Sequence, residues 1–229
     1  MKTAIVTGAS GNMGQAVVSQ LLQDGFQVTG TLVPHDPYQP DPAQTAFETA
    51  IVDLTDEAAS AAFVQQVIAV KGSVDAAVLT VGGFAMGDIA STTAADLSKQ
   101  YKLNVETAYN IARPVFLQMM KQGSGRIFLV GSRPGSDMHQ SKGMVAYGMA
   151  KSLIFRLAEL MNDEARGQNV VVSVIVPSTI DTPQNRKAMP DADFSAWVTP
   201  ASIASVIGYY ASPAAADLRE PVIRVFGNA

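Results

Sequence analysis

Tyr147 and Lys151 are the side chains in this sequence whose types and spacing point most directly to chemistry. They stand four residues apart in Ala146-Tyr147-Gly148-Met149-Ala150-Lys151. That is about one helical turn, so a phenol and an ammonium share one face and can meet over the same small molecule. A phenol ordinarily loses its proton near pH ~10, and a neighbouring ammonium favours the phenolate and lowers that value. The expectation is a proton donor and acceptor usable near neutral pH, as an enzyme requires.

Such a pair needs a scaffold, and the N-terminus supplies its first piece. Lys2-Thr3-Ala4-Ile5-Val6-Thr7 reads as a short buried strand, followed at once by Gly8-Ala9-Ser10-Gly11-Asn12-Met13-Gly14. A helical pattern then runs through Ala16, Val17, Leu21 and Leu22 to Gly25. In a strand–turn–helix context one glycine makes the tight turn, another admits a pyrophosphate to the backbone, and the last lets helix pack on strand. The helix N-terminus then offers free N–H groups to phosphates.

Short apolar runs alternate with helical stretches along the rest of the chain. Strands are expected at 2–7, 27–33, 49–53, 74–80, 125–131, 170–176 and 221–226, and helices near 13–24, 56–70, 93–121, 146–166 and 200–211. This alternation predicts an α/β, Rossmann-type doubly wound fold, with a mainly parallel seven-stranded sheet and helices on both faces. A single domain spans 1–229, and the candidate site residues fall along the strands' carboxyl edge, where open parallel sheets bind ligands.

Composition narrows the function classes. The 229 residues carry a net charge of -4, which offers no field for nucleic acid or an anionic membrane. There is no cysteine and only two histidines, far apart, so neither a thiolate nucleophile nor a metal site is expected. No run approaches the ~18 apolar residues of a membrane span, and the apolar run before Thr7 is too short for a signal segment. A cytoplasmic protein acting on a small molecule is the expectation.

The glycine turn and the Tyr-x-x-x-Lys pair together resemble the short-chain dehydrogenase/reductase family over nearly the whole chain. Asn104 in Lys102-Leu103-Asn104-Val105 matches the family's middle-helix asparagine, and Ser132 in Leu129-Val130-Gly131-Ser132 its substrate-binding serine. Asp53-Leu54 matches the pair that brackets adenine, and the segment Pro177 to Thr182 resembles the one that closes over the nicotinamide. The resemblance implies NAD(H) or NADP(H) as cofactor, and hydride transfer with a carbonyl, alcohol or conjugated imine. It casts Tyr147 as acid and base, Lys151 as partner to the nicotinamide ribose, and Ser132 as orienter of the substrate oxygen. Asn104 would hold a water that links Lys151 to solvent. Cofactor contacts implied are Gly8, Ser10, Gly11, Asn12, Met13, Gly14, Leu32, Asp53, Leu54, Thr80, Val81, Gly82, Lys151, Pro177, Thr179 and Ile180. Substrate contacts are Gly83, Phe84, Ser132, Arg186, Met189 and Trp197. Pairing through the Tyr147 helix and the long one before it implies a homodimer or homotetramer.

A narrower likeness, to quinonoid dihydropteridine reductase and similar bacterial reductases, rests on Val74-Asp75-Ala76-Ala77, Val81-Gly82-Gly83-Phe84, Asp181 to Lys187 and Met189 to Trp197. Quinonoid pterin reduction is therefore an alternative activity, and a non-catalytic dinucleotide sensor or scaffold a second.

Three features depart from the family pattern. The turn reads T-G-x-x-G-x-x-G, with Asn12 where a glycine is usual. Leu32 stands where NAD-using members place an Asp, and no Arg or Lys is nearby for a 2′-phosphate, so the choice of nucleotide is open. The 15-residue step from Ser132 to Tyr147 makes Ser136 and Ser141 rivals for the substrate hydrogen bond. Two segments also break the rhythm. Pro34 to Ala43 holds four prolines and reads as a shortened surface loop, with Pro34 and His35 as alternative shapers of a ribose pocket. Pro177 to Pro200 reads as a substrate lid, with Trp197 as its packing anchor and Arg186 either bound to substrate or held in a surface ion pair.

Overall fold

A computed structural model describes residues 1–228. Its strands are β1 Lys2–Thr7, β2 Phe26–Leu32, β3 Phe47–Ile51, β4 Ala76–Leu79, β5 Ser124–Val130, β6 Asn169–Pro177 and β7 Val222–Val225. They form one seven-stranded sheet in the order β3-β2-β1-β4-β5-β6-β7, with every adjacent pair parallel. Period-two alternation divides each central strand between two cores. Ile5, Ala77, Leu79, Ile127, Leu129 and Val172 face one of them, and Ala4, Val6, Ala76, Val78, Phe128 and Ile175 the other. With both faces covered, the strands are near-continuous apolar runs, and for that reason they were legible.

The helices are α1 Asn12–Gln23, α2 Glu57–Lys71, α3 Ala94–Tyr101, α4 Thr107–Gln122, α5 Arg133–Ser136, α6 Val145–Glu164, α7 Pro183–Ala188 and α8 Pro200–Ala211. Residues of α2, α4 and α6 fill the first core, those of α1 and α8 the second. The order reverses between β1 and β4, and the crevice opens there at the carboxyl edge. Thr80 seals the base of this switch point: its N–H donates to Thr7 Oγ1 at 3.0 Å and its hydroxyl to the Thr7 carbonyl at 2.7 Å.

Two sequence expectations need correction, and two further segments carry short helices. The helix expected over 93–121 is two helices, because Lys102–Glu106 winds as a π-helix between α3 and α4. Such wide turns often mark functional sites, and this one carries Asn104. The third strand begins at Phe47, whose buried ring pairs in register with Val28, so Asp53 lies beyond the strand end. The stretch from Ser132 to Tyr147 contains α5 and a 3-10 turn at Met138–Gln140, with the Ser132 side chain capping α5. Segment 177–200 contains α7 and a 3-10 turn at Phe194–Ala196. Thr182 at the α7 N-cap with Pro183 behind it was a readable start signal. The proline-rich stretch 34–43 has no helix, as expected.

Candidate active site

The glycine turn is built for close approach. Gly8 adopts φ +62, a left-handed conformation that glycine takes without strain, and a Cβ at Gly14 would overlap the Gly8 carbonyl oxygen. The turn is tied to β2, since Ala9 N–H donates to the Thr31 carbonyl at 3.0 Å and Gly8 N–H to Thr31 Oγ1 at 3.2 Å. The α1 N-cap is Gly11, which has no side chain to cap the helix, so the first-turn N–H groups stay free for an anion. This cradle fits a dinucleotide pyrophosphate.

The catalytic candidates gather where β5 gives way to α5 and α6. Lys151 is 5% exposed, and its ammonium donates to the Val130 carbonyl at 2.8 Å. Burial in this apolar surrounding pulls its pKa from 10.5 down to about 8. Tyr147 lies one turn earlier on the same helix, with Lys151 Nζ 6.0 Å from its ring centre. Burial raises the phenol's pKa, and a hydrogen bond with Ser132 partly offsets the rise. This corrects the expected lowering by the ammonium. At this separation, with the amine bonded to Val130, desolvation outweighs charge attraction.

Ser132 lies two residues past the end of β5, caps α5 and is 6% exposed, and of the three serines it is the one that influences the Tyr147 phenol. The rivals are occupied locally: Ser136 Oγ donates to the Arg133 carbonyl at 3.2 Å and Ser141 Oγ to the Pro134 carbonyl at 2.5 Å.

Asn104 is 1% exposed and clamps Gly83 in both directions, accepting from its N–H at 3.1 Å and donating to its carbonyl at 3.1 Å. Its amide also donates to the Gln100 carbonyl and side-chain oxygen, at 3.1 and 3.0 Å. Protein partners thus occupy both ends of the side chain. Its effect runs through the chain: Asn104 fixes Gly83, and the next ring, Phe84, stands edge-on to Tyr147 with centres 5.1 Å apart. A Cβ on Gly82 would come 2.7 Å from Asn104 Oδ1 and 3.2 Å from Lys151 Nζ. Gly82 therefore admits these two side chains to one point.

On the rim, Arg186 clasps Asp181 with Nε 2.6 Å and an Nη 2.8 Å from the two carboxylate oxygens. Its guanidinium lies 4.7 Å from the Phe194 ring centre, and Phe194 packs on Trp197 at 4.8 Å. Arg186 is therefore the ion pair rather than a free substrate contact, while Trp197 serves as the packing anchor. Met189 is 41% exposed at the same rim. Beneath it, backbone bonds from Val198 N–H to Thr179 at 3.0 Å and from Asp181 N–H to Val198 at 2.8 Å fasten the segment after Pro177 and around Ile180. Toward the other end of the crevice Leu32 is buried. Asp53 is exposed, and its carboxylate accepts from Thr55 N–H and Oγ at 2.9 and 2.7 Å, so it caps its own turn. The Leu54 carbonyl accepts from Asn110 at 2.9 Å, and Val81 packs against the core.

Sequence reasoning missed several partners. Val130 contributes only a carbonyl, and no pattern announces that. Asn12 Nδ2 donates to Gln184 on α7 at 2.9 Å, and the Ser10 hydroxyl to Asp36 at 2.6 Å. Both pairs join distant segments.

This geometry agrees with the comparisons. The profile of the family described as short chain dehydrogenase matches residues 2–193, and the chain belongs to that family of oxidoreductases. It is 26% identical to an acetoacetyl-CoA reductase from an Acinetobacter strain, over 99% of this chain and 97% of that protein. It is 30% identical to the 2,3-dihydro-2,3-dihydroxybenzoate dehydrogenase of Escherichia coli, over 81% of this chain and 72% of that protein. The ligand-free aldohexose dehydrogenase of Thermoplasma acidophilum shares the fold at a TM-score of 0.86 and 21% identity, covering 99% of this chain and 93% of its own. Among the described residues no helix is long and apolar enough to cross a membrane, and no cluster of metal-ligating side chains occurs.

Proposed function

We propose that this protein transfers a hydride between NAD(H) or NADP(H) and a small carbonyl or alcohol substrate, with Tyr147 supplying or receiving the proton. The carrying observation is the pairing, one helical turn apart, of buried Lys151, whose ammonium donates to the Val130 carbonyl at 2.8 Å, with Tyr147, whose ring centre lies 6.0 Å from that ammonium. The nicotinamide, when bound, supplies the hydride chemistry. The protein's part is to bind, orient and move a proton.

First-turn N–H groups of Asn12, Met13 and Gly14, with Gly8, Ser10 and Gly11, hold the pyrophosphate side. Leu32, Asp53 and Leu54 flank the adenosine end, and Thr80, Val81, Gly82, Pro177, Thr179 and Ile180 flank the nicotinamide end. Two hydroxyls, from Ser132 and Tyr147, then converge on one substrate oxygen. Because burial raises the phenol's pKa, Tyr147 stays protonated at neutral pH and is ready to donate to a developing alkoxide. Lys151 keeps its ammonium below about pH 8, where it bonds the nicotinamide ribose and supports the phenolate once Tyr147 has given up its proton. Gly83, Phe84 and Met189 line the substrate mouth, and the clasped segment 177–200 acts as its lid.

A homodimer or homotetramer accompanies this reading. Tyr101, Tyr109, Leu117, Met149, Leu153 and Leu160 are all 42–56% exposed on α3, α4 and α6, an apolar surface a second copy would cover.

The test is a panel of aldehydes, ketones, quinones and quinonoid pterins, each mixed with either reduced nucleotide and followed by nucleotide oxidation. Turnover of a carbonyl supports the reading. Turnover of pterins alone moves it to pterin reduction, and nucleotide binding without turnover of any member contradicts it.

A further inference from the structure

We infer that Asp36 makes this protein selective for NAD(H) over NADP(H), taking the ribose-facing role that Leu32 at the end of β2 does not fill. The inference rests on the dinucleotide reading above and specifies its nucleotide.

The chain beyond β2 turns back on itself. Asp36 N–H donates to the Val33 carbonyl at 3.1 Å, and His35 between them adopts φ +63. His35 is the one non-glycine residue with positive φ among the described residues. Histidine takes this left-handed conformation more readily than most side chains, and here it turns the chain sharply after β2. Its effect here is to return Asp36 over the glycine turn.

There the carboxylate is fixed at both oxygens. Oδ2 accepts from the Ser10 hydroxyl at 2.6 Å, and Oδ1 from Tyr38 N–H at 3.0 Å. Ser10 belongs to the phosphate-binding turn, which Thr31 ties to β2 through the bonds at 3.0 and 3.2 Å. Asp36 therefore stands in the crevice between the carboxyl ends of β1 and β2. In a doubly wound sheet the adenosine ribose lies in that position, and an acid there accepts from its 2′-hydroxyl. Each carboxylate oxygen keeps a lone pair for a further donor after its protein bond.

Charge decides which nucleotide fits. Among the described residues no lysine or arginine forms an ion pair with Asp36. A 2′-phosphate would face an uncompensated carboxylate, whereas a 2′-hydroxyl gains an acceptor. The hydrogen bond from Ser10, followed by that from Tyr38, holds the Asp36 carboxyl below its usual pKa, so it is ionised at neutral pH.

Fluorescence titration of the wild-type protein with NADH and with NADPH tests this, beside Asp36→Asn and Asp36→Ser. Asp41→Asn, an acid of the same loop that caps Ala43 N–H at 2.9 Å, controls for nonspecific charge. Wild type should bind NADH roughly 10- to 100-fold more tightly than NADPH, between the about fivefold and about 1,000-fold that two like charges about 4 Å apart produce in bulk water and near a protein surface. Asp36→Asn keeps the shape, removes the charge and should close most of that gap by tightening NADPH. Asp36→Ser should do the same without the amide, and Asp41→Asn should leave the ratio unchanged. Equal affinities in wild type, a preference for NADPH, or a gap that survives both Asp36 variants overturns the inference and leaves the dinucleotide reading standing. Binding of neither nucleotide removes both.

Discussion

At the β5–α6 end of the crevice, Ser132, Lys151 and Asn104 are 6%, 5% and 1% exposed and are held largely by backbone groups. At the rim the pairs Asp181–Arg186, Asn12–Gln184 and Ser10–Asp36 are side chain to side chain, the first two open to water and the third half-buried. The two regions serve different ends. Burial at the first sets protonation states: it moves both Lys151 and Tyr147 toward their neutral forms, and no rim residue has that leverage. Exposure at the second keeps each pair energetically cheap to change, as suits parts that choose a nucleotide or shape a substrate mouth. Changes at the buried end should therefore cost far more than changes at the rim.

The sharpest contrast is expected from Ser132→Ala, which removes one of two hydroxyls aimed at the substrate oxygen. It should lower kcat/KM by roughly 10²–10³, the scale for losing one preorganised donor, with nucleotide affinity unchanged. Steady-state kinetics paired with a binding titration would show this. A loss confined to nucleotide binding would place Ser132 elsewhere in the function.

Asn104→Ala should act through structure. It strands the Gly83 N–H and carbonyl, for about 1–3 kcal/mol of stability read by denaturant unfolding. Because Gly83 leads into Phe84, kcat should fall as well, and Asn104→Asp should not restore the stability, since it puts a carboxylate oxygen where a donor faces the Gly83 and Gln100 oxygens. An unchanged unfolding midpoint would mean that the clamp contributes nothing.

Lys151 gives a prediction whose sign is fixed. Its folded-state pKa of about 8 lies below the ordinary 10.5, so between those values the unfolded chain binds more protons and stability rises with pH. As pH falls through 8 that contribution is lost. Tyr147 acts oppositely only above its ordinary 10.0, where its raised pKa makes stability fall. Unfolding midpoints measured from neutral pH to below 10 should climb in wild type relative to Lys151→Met. Parallel profiles would contradict the burial of a titrating amine.

The smallest effect belongs to the rim. Arg186→Ala should change kcat/KM by less than about fivefold, because the exposed Arg186 guanidinium is already engaged by Asp181. A loss comparable to that of Ser132→Ala would erase the distinction between the regions and return Arg186 to the substrate site.

The same division governs what could be read from sequence. Strand positions were accessible because continuous apolar runs need no tertiary knowledge, and Tyr147, Lys151 and Ser132 because spacing and strand ends locate them. The sign of the Tyr147 shift was not, since it depends on how much of the phenol the folded protein hides. The π-helix escaped because the periodicity of α3 and α4 continues through it, and only the partners of Asn104 explain the wider turn. Asp36 and Gln184 meet residues 26 and 172 positions away, and hydrophobic period carries no information about such pairings.

The central claim is that the buried phenol of Tyr147 carries the proton. Its most direct test is kcat/KM of Tyr147→Phe on a carbonyl the wild type turns over, with nucleotide Kd measured on the same preparation. We predict a loss on the order of 10²–10⁴ with Kd essentially unchanged. Wild-type turnover in that variant would contradict the claim.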